Sequence, residues 1–223
     1  MCGRYVLASP GDALAEHFRL AAVPDVAARY NIAPTQVAPV IRAAEGGGRE
    51  LVAMRWGLVP GWAEDPAIGA RMINARAETL ATKPAFRAAY RRRRCLVPAN
   101  GFYEWKPAGR RKQPYYCHLE GAPLLAMAGL WEAWRSPEGE VVTTYTIVTT
   151  DANEEMRALH DRMPLVLLPD AYDAWLAAPD PGGLLAPLSR VRLVAHPVSL
   201  RVNNVANDDA SLVAPVETGV EPV

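Results

Sequence analysis

Four residues far apart in the chain, Cys2, Asn74, Glu104 and His160, carry side chains suited to nucleophilic or acid–base work. Cys2 stands directly behind the initiator methionine in MCGRYVLASP. Aminopeptidases that remove Met1 accept small second residues, so the mature chain would begin with a free α-amine beside a thiol. The simpler reading is a small residue near a tolerant terminus. Glu104, in FYEW, shares a strand face with Phe102, while Tyr103 and Trp105 take the other. A carboxylate on an aromatic-lined face tends toward a raised pKa and can serve as a general acid or base. Taken alone, an exposed edge-strand glutamate explains it more simply. His160 is flanked by Asp161 and Arg162 at the predicted end of a short helix, where a cation suits the C-terminal carbonyls. Asn74, a neutral donor and acceptor close to Arg76, says little by itself.

These residues need a scaffold, and the patterning supplies a mostly β one. PGDALAEHFRL predicts a helix over 10–20 with its apolar residues on one face, and NIAPTQ predicts an irregular turn. VAPVIRA and ELVAMRW read as two strands around the Gly46–Gly48 turn. A helix follows over about 83–92, and its RRRR end, Arg91–Arg94, suits a helix C-terminus. CLVPANGFYEWK, QPYYCHLE, PLLAMAGLWEAW and TYTIVTT supply short strands. Asp151 with Glu154 predicts a capping-box start to a helix of about two turns ending near His160, with Pro164 shortly beyond. A last helix covers LPDAYDAWLAAP, VRLVAHPVS returns to strand, and a polar tail begins at about 213. Without an internal repeat, long linker or composition break, 1–223 reads as a single α+β domain.

Composition narrows the functional classes. Half of the 223 residues are hydrophobic, ample for a core. No segment approaches the roughly 18–20 apolar residues of a membrane span, and no secretory signal opens the chain. A cytoplasmic, membrane-free protein is expected. Cys2, Cys95 and Cys117 are odd in number and widely spaced, and no metal-ligand spacing joins them to a histidine, so neither disulfides nor zinc are expected. No GxGxxG or phosphate-loop pattern occurs, and no cofactor is implied. Net charge is zero, yet residues 1–118 carry 18 Lys and Arg against 9 Asp and Glu, whereas the remainder carry 6 against 15. The N-terminal half is therefore where a polyanion would bind, unless the two halves simply neutralise each other in one fold.

Taken together and in order, MCGRY, NIAPTQ, RWGLVPGWA, INARAET, CLVPANGFYEWK and HDRMP closely resemble the SOS response-associated peptidase (SRAP) family. The resemblance runs from Met1 to about Leu212 and includes the VNN and NDDASL stretches. It implies a compact α+β domain with a mostly antiparallel, β-barrel-like core and a few flanking helices. It implies a monomer that covalently captures and shields abasic sites in single-stranded DNA or at single/double-strand junctions, associating with the nucleoid when bound. The family's active residues fall on Cys2, Asn74, Glu104 and His160. Its DNA contacts match Arg4, Arg76, Thr149 and Arg162, with Pro39 and Trp62 in the segments that shape the DNA junction. Some relatives carry a second tryptophan after Trp62, where this chain has Ala63.

The implied chemistry explains a cysteine at position 2. The open-chain aldehyde of an abasic site condenses with an α-amine, which has a pKa near ~7.7–8.0 and is substantially neutral at physiological pH. An imine alone promotes strand-cutting β-elimination. A thiol on the adjacent carbon closes a five-membered thiazolidine instead, so removal of Met1 is a chemical requirement. Two other classes use the same residues: an N-terminal-cysteine peptidase or amidase, autoproteolytic at Met1, and a noncovalent DNA-damage-binding module in which Cys2 is incidental.

Overall fold

The structure, a computed structural model, describes residues 2–187 and 192–217. β1 (Tyr5–Leu7) leads into α1 (Gly11–Phe18), which buries Leu14 and Phe18 and ends where Arg19 turns left-handed at φ 53°. β2 (Arg29–Ile32) precedes a hairpin of β3 (Val37–Ala43) and β4 (Arg49–Trp56). Its turn places Gly47 and Gly48 at φ 90° and 78°, a region glycine enters without steric penalty. β5 (Asn74–Arg76) is followed by α2 (Pro84–Arg92), then by β6 (Arg94–Ala99) and β7 (Gly101–Ala108). β8 (Arg111–Leu119), β9 (Leu125–Arg135) and β10 (Val141–Asp151) are the long strands. The one-turn helix α3 (Glu154–Arg157), β11 (Arg162–Pro164), β12 (Val166–Leu167), α4 (Tyr172–Ala177) and β13 (Leu193–Pro197) complete the order.

Five strands close on themselves. β10 pairs β4 in parallel, β4 pairs β3, β3 pairs β6, β6 pairs β9, and β9 returns to β10, all antiparallel after the first. Closure leaves these strands no free edge, and so small a barrel is filled by its own side chains, including the buried Trp56, Leu96, Tyr145 and Ile147. A second, five-stranded sheet runs β13-β8-β7-β1-β2. The Tyr5 and Tyr145 hydroxyls meet at 2.7 Å across the two sheets, so both buried phenols are partnered. This is the α+β, barrel-cored class with few helices that the sequence predicts.

β10 runs from the barrel wall to the candidate site. Val141–Ile147 pair with β9, but beyond that point β5 takes one side of the strand, with Ile147 opposite Asn74 and Thr149 opposite Arg76. On the other side β11 sets Asp151 opposite Arg162. That pairing also overturns the expected capping box at Asp151. Asp151 ends the strand, and Asn153 caps α3 instead, its side chain accepting from Met156 N–H at 3.0 Å. The helix is one turn rather than two because ladder hydrogen bonds claim the chain on both sides of it, and His160 lies beyond it in a turn.

The RRRR run also divides in a way composition does not reveal. Arg94 opens β6 and is buried, donating to the carbonyls of Tyr90, Arg91, Trp175, Leu176 and Ala178, so one guanidinium satisfies the C-terminal ends of α2 and α4. Arg94→Met should therefore lower unfolding free energy by about 3 kcal/mol or more, since the helix-end carbonyls it serves lose a charged donor. Urea denaturation would measure it, and an unchanged midpoint would show the cap to be dispensable.

Candidate functional site

Cys2 is fully buried, although it stands at the start of the chain. Antiparallel pairing of Tyr5 with Ile32 and with Phe102 holds β1 between β2 and β7. Tyr103 N–H donates to the Arg4 carbonyl at 2.9 Å, extending that ladder toward the terminus. Asn74 then reaches across from β5, its Nδ2 donating to the Cys2 carbonyl at 2.8 Å. The Cys2 Sγ lies 3.8 Å from the Arg4 carbonyl. Burial pushes the thiol well above the usual cysteine range, and the negative charge of Glu104 raises it further. Met1, whose removal the aminothiol requires, lies outside the described residues, as does the tail beyond 217.

Glu104 is not the exposed edge glutamate that it resembles in isolation. It is only 3% accessible, because β7 lies between β1 and β8 rather than at a sheet edge. The strand alternation is as expected: Phe102 joins the main core with Cys2, while Tyr103 and Trp105 pack in a second cluster with Val6 and Val202. Cys117 lies opposite Phe102, and burial raises its thiol, with the nearby Glu104 charge acting in the same direction. The spacing of Cys117 in the sequence excludes only a disulfide or zinc role, although the alternation of QPYYCHLE places it on the inward face.

His160 and Arg162 belong to the turn after α3. His160 is half-buried; its Nδ1 accepts from Arg162 N–H at 2.9 Å and lies 2.6 Å from Asp161 Oδ1. That nitrogen serves one contact at a time: unprotonated it accepts from the amide, and protonated it pairs with Asp161. This replaces the expected helix-terminal cation, since His160 lies beyond the helix rather than in its last turn.

The Arg162 guanidinium is engaged on several sides. Nη1 donates to Glu78 Oε1 and Asp151 Oδ1, each at 2.7 Å, and Nη2 donates to Glu78 Oε2 at 3.0 Å and to the Thr149 carbonyl at 2.7 Å. Burial works to lower its pKa, but the hydrogen bonds and charges of Glu78 and Asp151 outweigh it and the net shift is upward. Thr149 is buried, and its Oγ1 has no hydrogen-bond partner among the described residues. Arg76 is exposed beside it on β5. The sequence gives Asp151 only a capping role and Glu78 none; Glu78 lies in INARAET, but nothing in that motif announces an arginine partner 84 positions away.

Arg4 is half-buried, and burial lowers its pKa. Its Nη1 donates to Asn31 Oδ1 at 3.1 Å and to the Val202 carbonyl at 2.8 Å, tying the VNN loop to β2. Trp62, 60% exposed, lines a cavity of about 450 Å³ with Ile68 and Arg71, and Trp134 Nε1 donates to the neighbouring Ala63 carbonyl. Pro39 sits half-buried on β3 opposite Ala53. The structure thus gathers Cys2, Asn74 and Glu104, and sets Arg76, Thr149 and Arg162 along the end of β10. It places Trp62 near the other end of that strand, where Trp134 pairs with Val142. From Val142 to Thr149 the strand rises roughly 24 Å at about 3.4 Å per residue. Among the described residues no cluster of three or more His, Cys, Asp or Glu side chains could hold a metal, and no helix is long and apolar enough to cross a membrane.

The fold is an α+β domain with a closed five-stranded barrel and a second sheet, in which Cys2 is buried, held by Asn74 and within electrostatic reach of Glu104. The chain belongs to the SOS response associated peptidase (SRAP) family, whose model matches residues 1–205. It is 41% identical to the abasic site processing protein YoqW of Bacillus subtilis, over 96% of this chain and 99% of that protein. It is 34% identical to abasic site processing protein HMCES of Gallus gallus, over 86% and 67% respectively. The corresponding protein YedK of Escherichia coli is also 34% identical, over 86% and 87%. A crystal structure of a Bacteroides thetaiotaomicron protein superposes with a TM-score of 0.86 at 25% identity, covering 97% of this chain and all of that one. A Bordetella bronchiseptica protein gives 0.79 at 30% identity, covering 89% of this chain and 100% of that one.

Two outcomes are expected from this geometry. Arg162's hydrogen bonds hold Glu78 below its ordinary pKa, so the pair stabilises the fold above the unfolded-state value and loses that effect as pH falls through the folded-state value. The Tm difference between wild type and Glu78→Gln should be largest near neutrality and close on acidification; a pH-independent difference would show that the pair contributes nothing electrostatic. Cys95 and Cys117 are buried away from the reaction assigned to Cys2, so in the native Cys2→Ser chain they should react with a disulfide reagent at least on the order of 100-fold more slowly than in the urea-unfolded chain. Equal rates would contradict the burial.

Proposed function

We propose that this chain captures abasic sites in single-stranded DNA, or at single/double-strand junctions, as a covalent adduct of Cys2 and so shields them. The observation that carries the reading is the convergence of residues 2, 74 and 104: Asn74 holds the Cys2 main chain at 2.8 Å while the Glu104 charge acts on the Cys2 thiol. Relatives named as abasic site processing proteins support the substrate class.

With Met1 removed, the Cys2 α-amine adds to the aldehyde of the opened sugar, and loss of water gives an imine. The thiol then adds across the C=N bond, sulfur bonding to carbon and the thiol proton passing to nitrogen, which closes the thiazolidine. Glu104 is assigned the proton transfers of ring opening, imine formation and adduct release. Asn74 orients the amine and the carbinolamine, and His160 assists as an acid/base or holds the adjacent sugar-phosphate. Arg4, Arg76, Thr149 and Arg162 contact the backbone, giving salt-dependent affinity without sequence preference, and Pro39 and Trp62 shape the junction. For Arg162 this requires phosphate to compete with Glu78 and Asp151.

The excess of Lys and Arg in the N-terminal half and the reactivity of a 1,2-aminothiol toward an aldehyde support capture over hydrolysis. Autoproteolytic removal of Met1 and a lyase-type release of the adduct are secondary activities of the same groups.

Intact-mass and denaturing-gel analysis of Met1-processed protein with abasic single-stranded DNA tests this reading. The expected product is a heat-stable adduct with the summed mass of protein and DNA less one water, absent with a tetrahydrofuran analogue and absent in Cys2→Ser. No adduct from folded, processed protein would discard the mechanism. Glu104→Gln should slow adduct formation by roughly 100-fold; an unchanged rate and unchanged reversal would remove Glu104 from the chemistry.

A further inference from the structure

The exposed face of α2 carries cations that neither the fold nor the Cys2 site uses. Lys83, the N-cap of α2, Arg87 and Arg91 fall at intervals of four, one above another on the helix, with Arg92 beside them, while Phe86, Ala89 and Tyr90 form the buried face. The helix contains no acidic residue, so like charges one turn apart repel without relief. Among the described residues Glu132 pairs with Arg93, and no ion pair involves Lys83, Arg87, Arg91 or Arg92. Arg87, Arg91, Arg92 and Arg93 line an open cavity of about 280 Å³.

The row begins seven residues after Arg76, and local hydrogen bonds keep the intervening backbone compact. Thr79 Oγ1 donates to the Arg76 carbonyl at 3.3 Å, Lys83 N–H donates to the Thr79 carbonyl at 2.9 Å, and Arg87 N–H donates to the Lys83 carbonyl at 2.9 Å. From Lys83 to Arg91 the rise is about 12 Å at ~1.5 Å per residue. An exposed row of cations whose exposed apolar neighbours are only the small Pro84 and Ala88 fits the repeating charge of a phosphodiester backbone better than an acidic polypeptide, which would bring larger apolar contacts as well.

We propose that Lys83, Arg87, Arg91 and Arg92 form a phosphate track that holds the nucleic-acid strand flanking the captured site. The track rests on the DNA-capture reading above and extends it to residues outside the Cys2 site. Its role is affinity for the flanking strand, separate from reaction at Cys2.

The test measures equilibrium binding of full-length wild type and of Arg87→Gln/Arg91→Gln/Arg92→Gln across a potassium chloride series. The probes carry a tetrahydrofuran lesion analogue at the centre of strands of about five or about 20 nucleotides, the shorter being near the lower limit of single-strand sites. At ~0.7 per phosphate, loss of three contacts should reduce the log–log salt slope on the long strand by about 2, with the two proteins converging on the short strand. An unchanged long-strand slope, with short-strand binding intact, overturns the track alone. Binding of a polyglutamate peptide or phosphatidylserine vesicles through these arginines, with the DNA slope unchanged, overturns it in favour of another polyanion. Wild type that binds neither oligonucleotide removes the DNA-capture reading as well as the track. Far-ultraviolet circular dichroism and the Tm of the variant establish that α2 is intact; the exposed glutamines keep helix propensity and relieve the Arg87–Arg91 repulsion.

Discussion

One hydrogen bond, from the Asn74 side-chain amide to the Cys2 carbonyl, joins the first described residue to the barrel. Chain termini fray unless something ties them down, and a reactive group on a frayed end has no defined surroundings. Here Asn74 is itself held by parallel pairing of β5 with β10, and β10 is held by β9 and β4 in the closed ring. The Tyr5–Tyr145 hydroxyl pair links the same two bodies three residues further along the chain. The position of Cys2 thus follows from barrel closure, through β10 and β5, to a single amide.

Arginine shows how context divides one residue type among different tasks. Arg94 is consumed by helix-end carbonyls, and Arg49 by Asp173, the Phe18 carbonyl and the face of Tyr172. Arg162 is clamped by two carboxylates at the end of β10. The exposed arginines of α2 have no comparable partners among the described residues. The excess positive charge of the N-terminal half is therefore partly internal wiring and partly surface, and only the surface share is available to a polyanion.

Much of the scaffold was legible because period-two and period-3.6 patterns report local burial. The β3–β4 hairpin, α2 and the long strands lie where VAPVIRA, ELVAMRW and TYTIVTT indicate. The α3 region was misread because Asp151 and Glu154 satisfy a local capping rule, while nonlocal pairing with β11 decides the backbone. Glu104 looked like an edge residue because a single strand carries no information about neighbours on both sides. The surroundings of Cys117 and Glu78 were illegible for the same reason: their meaning lies in partners distant in sequence.

By itself the sequence determined the residue types, their order and the family motifs, and with them a mostly β chain and an aminothiol chemistry if Met1 is removed. Local propensity and side-chain reactivity are properties of short segments, so they survive being read without a fold. Tertiary structure decided that Cys2 is buried rather than frayed, that Glu104 lies inside rather than at an edge, and that Arg162 faces carboxylates while the α2 cations face solvent. Those outcomes depend on barrel closure and strand register, which bring residues 2, 74 and 104 together through long-range hydrogen bonds and electrostatics that no short window contains.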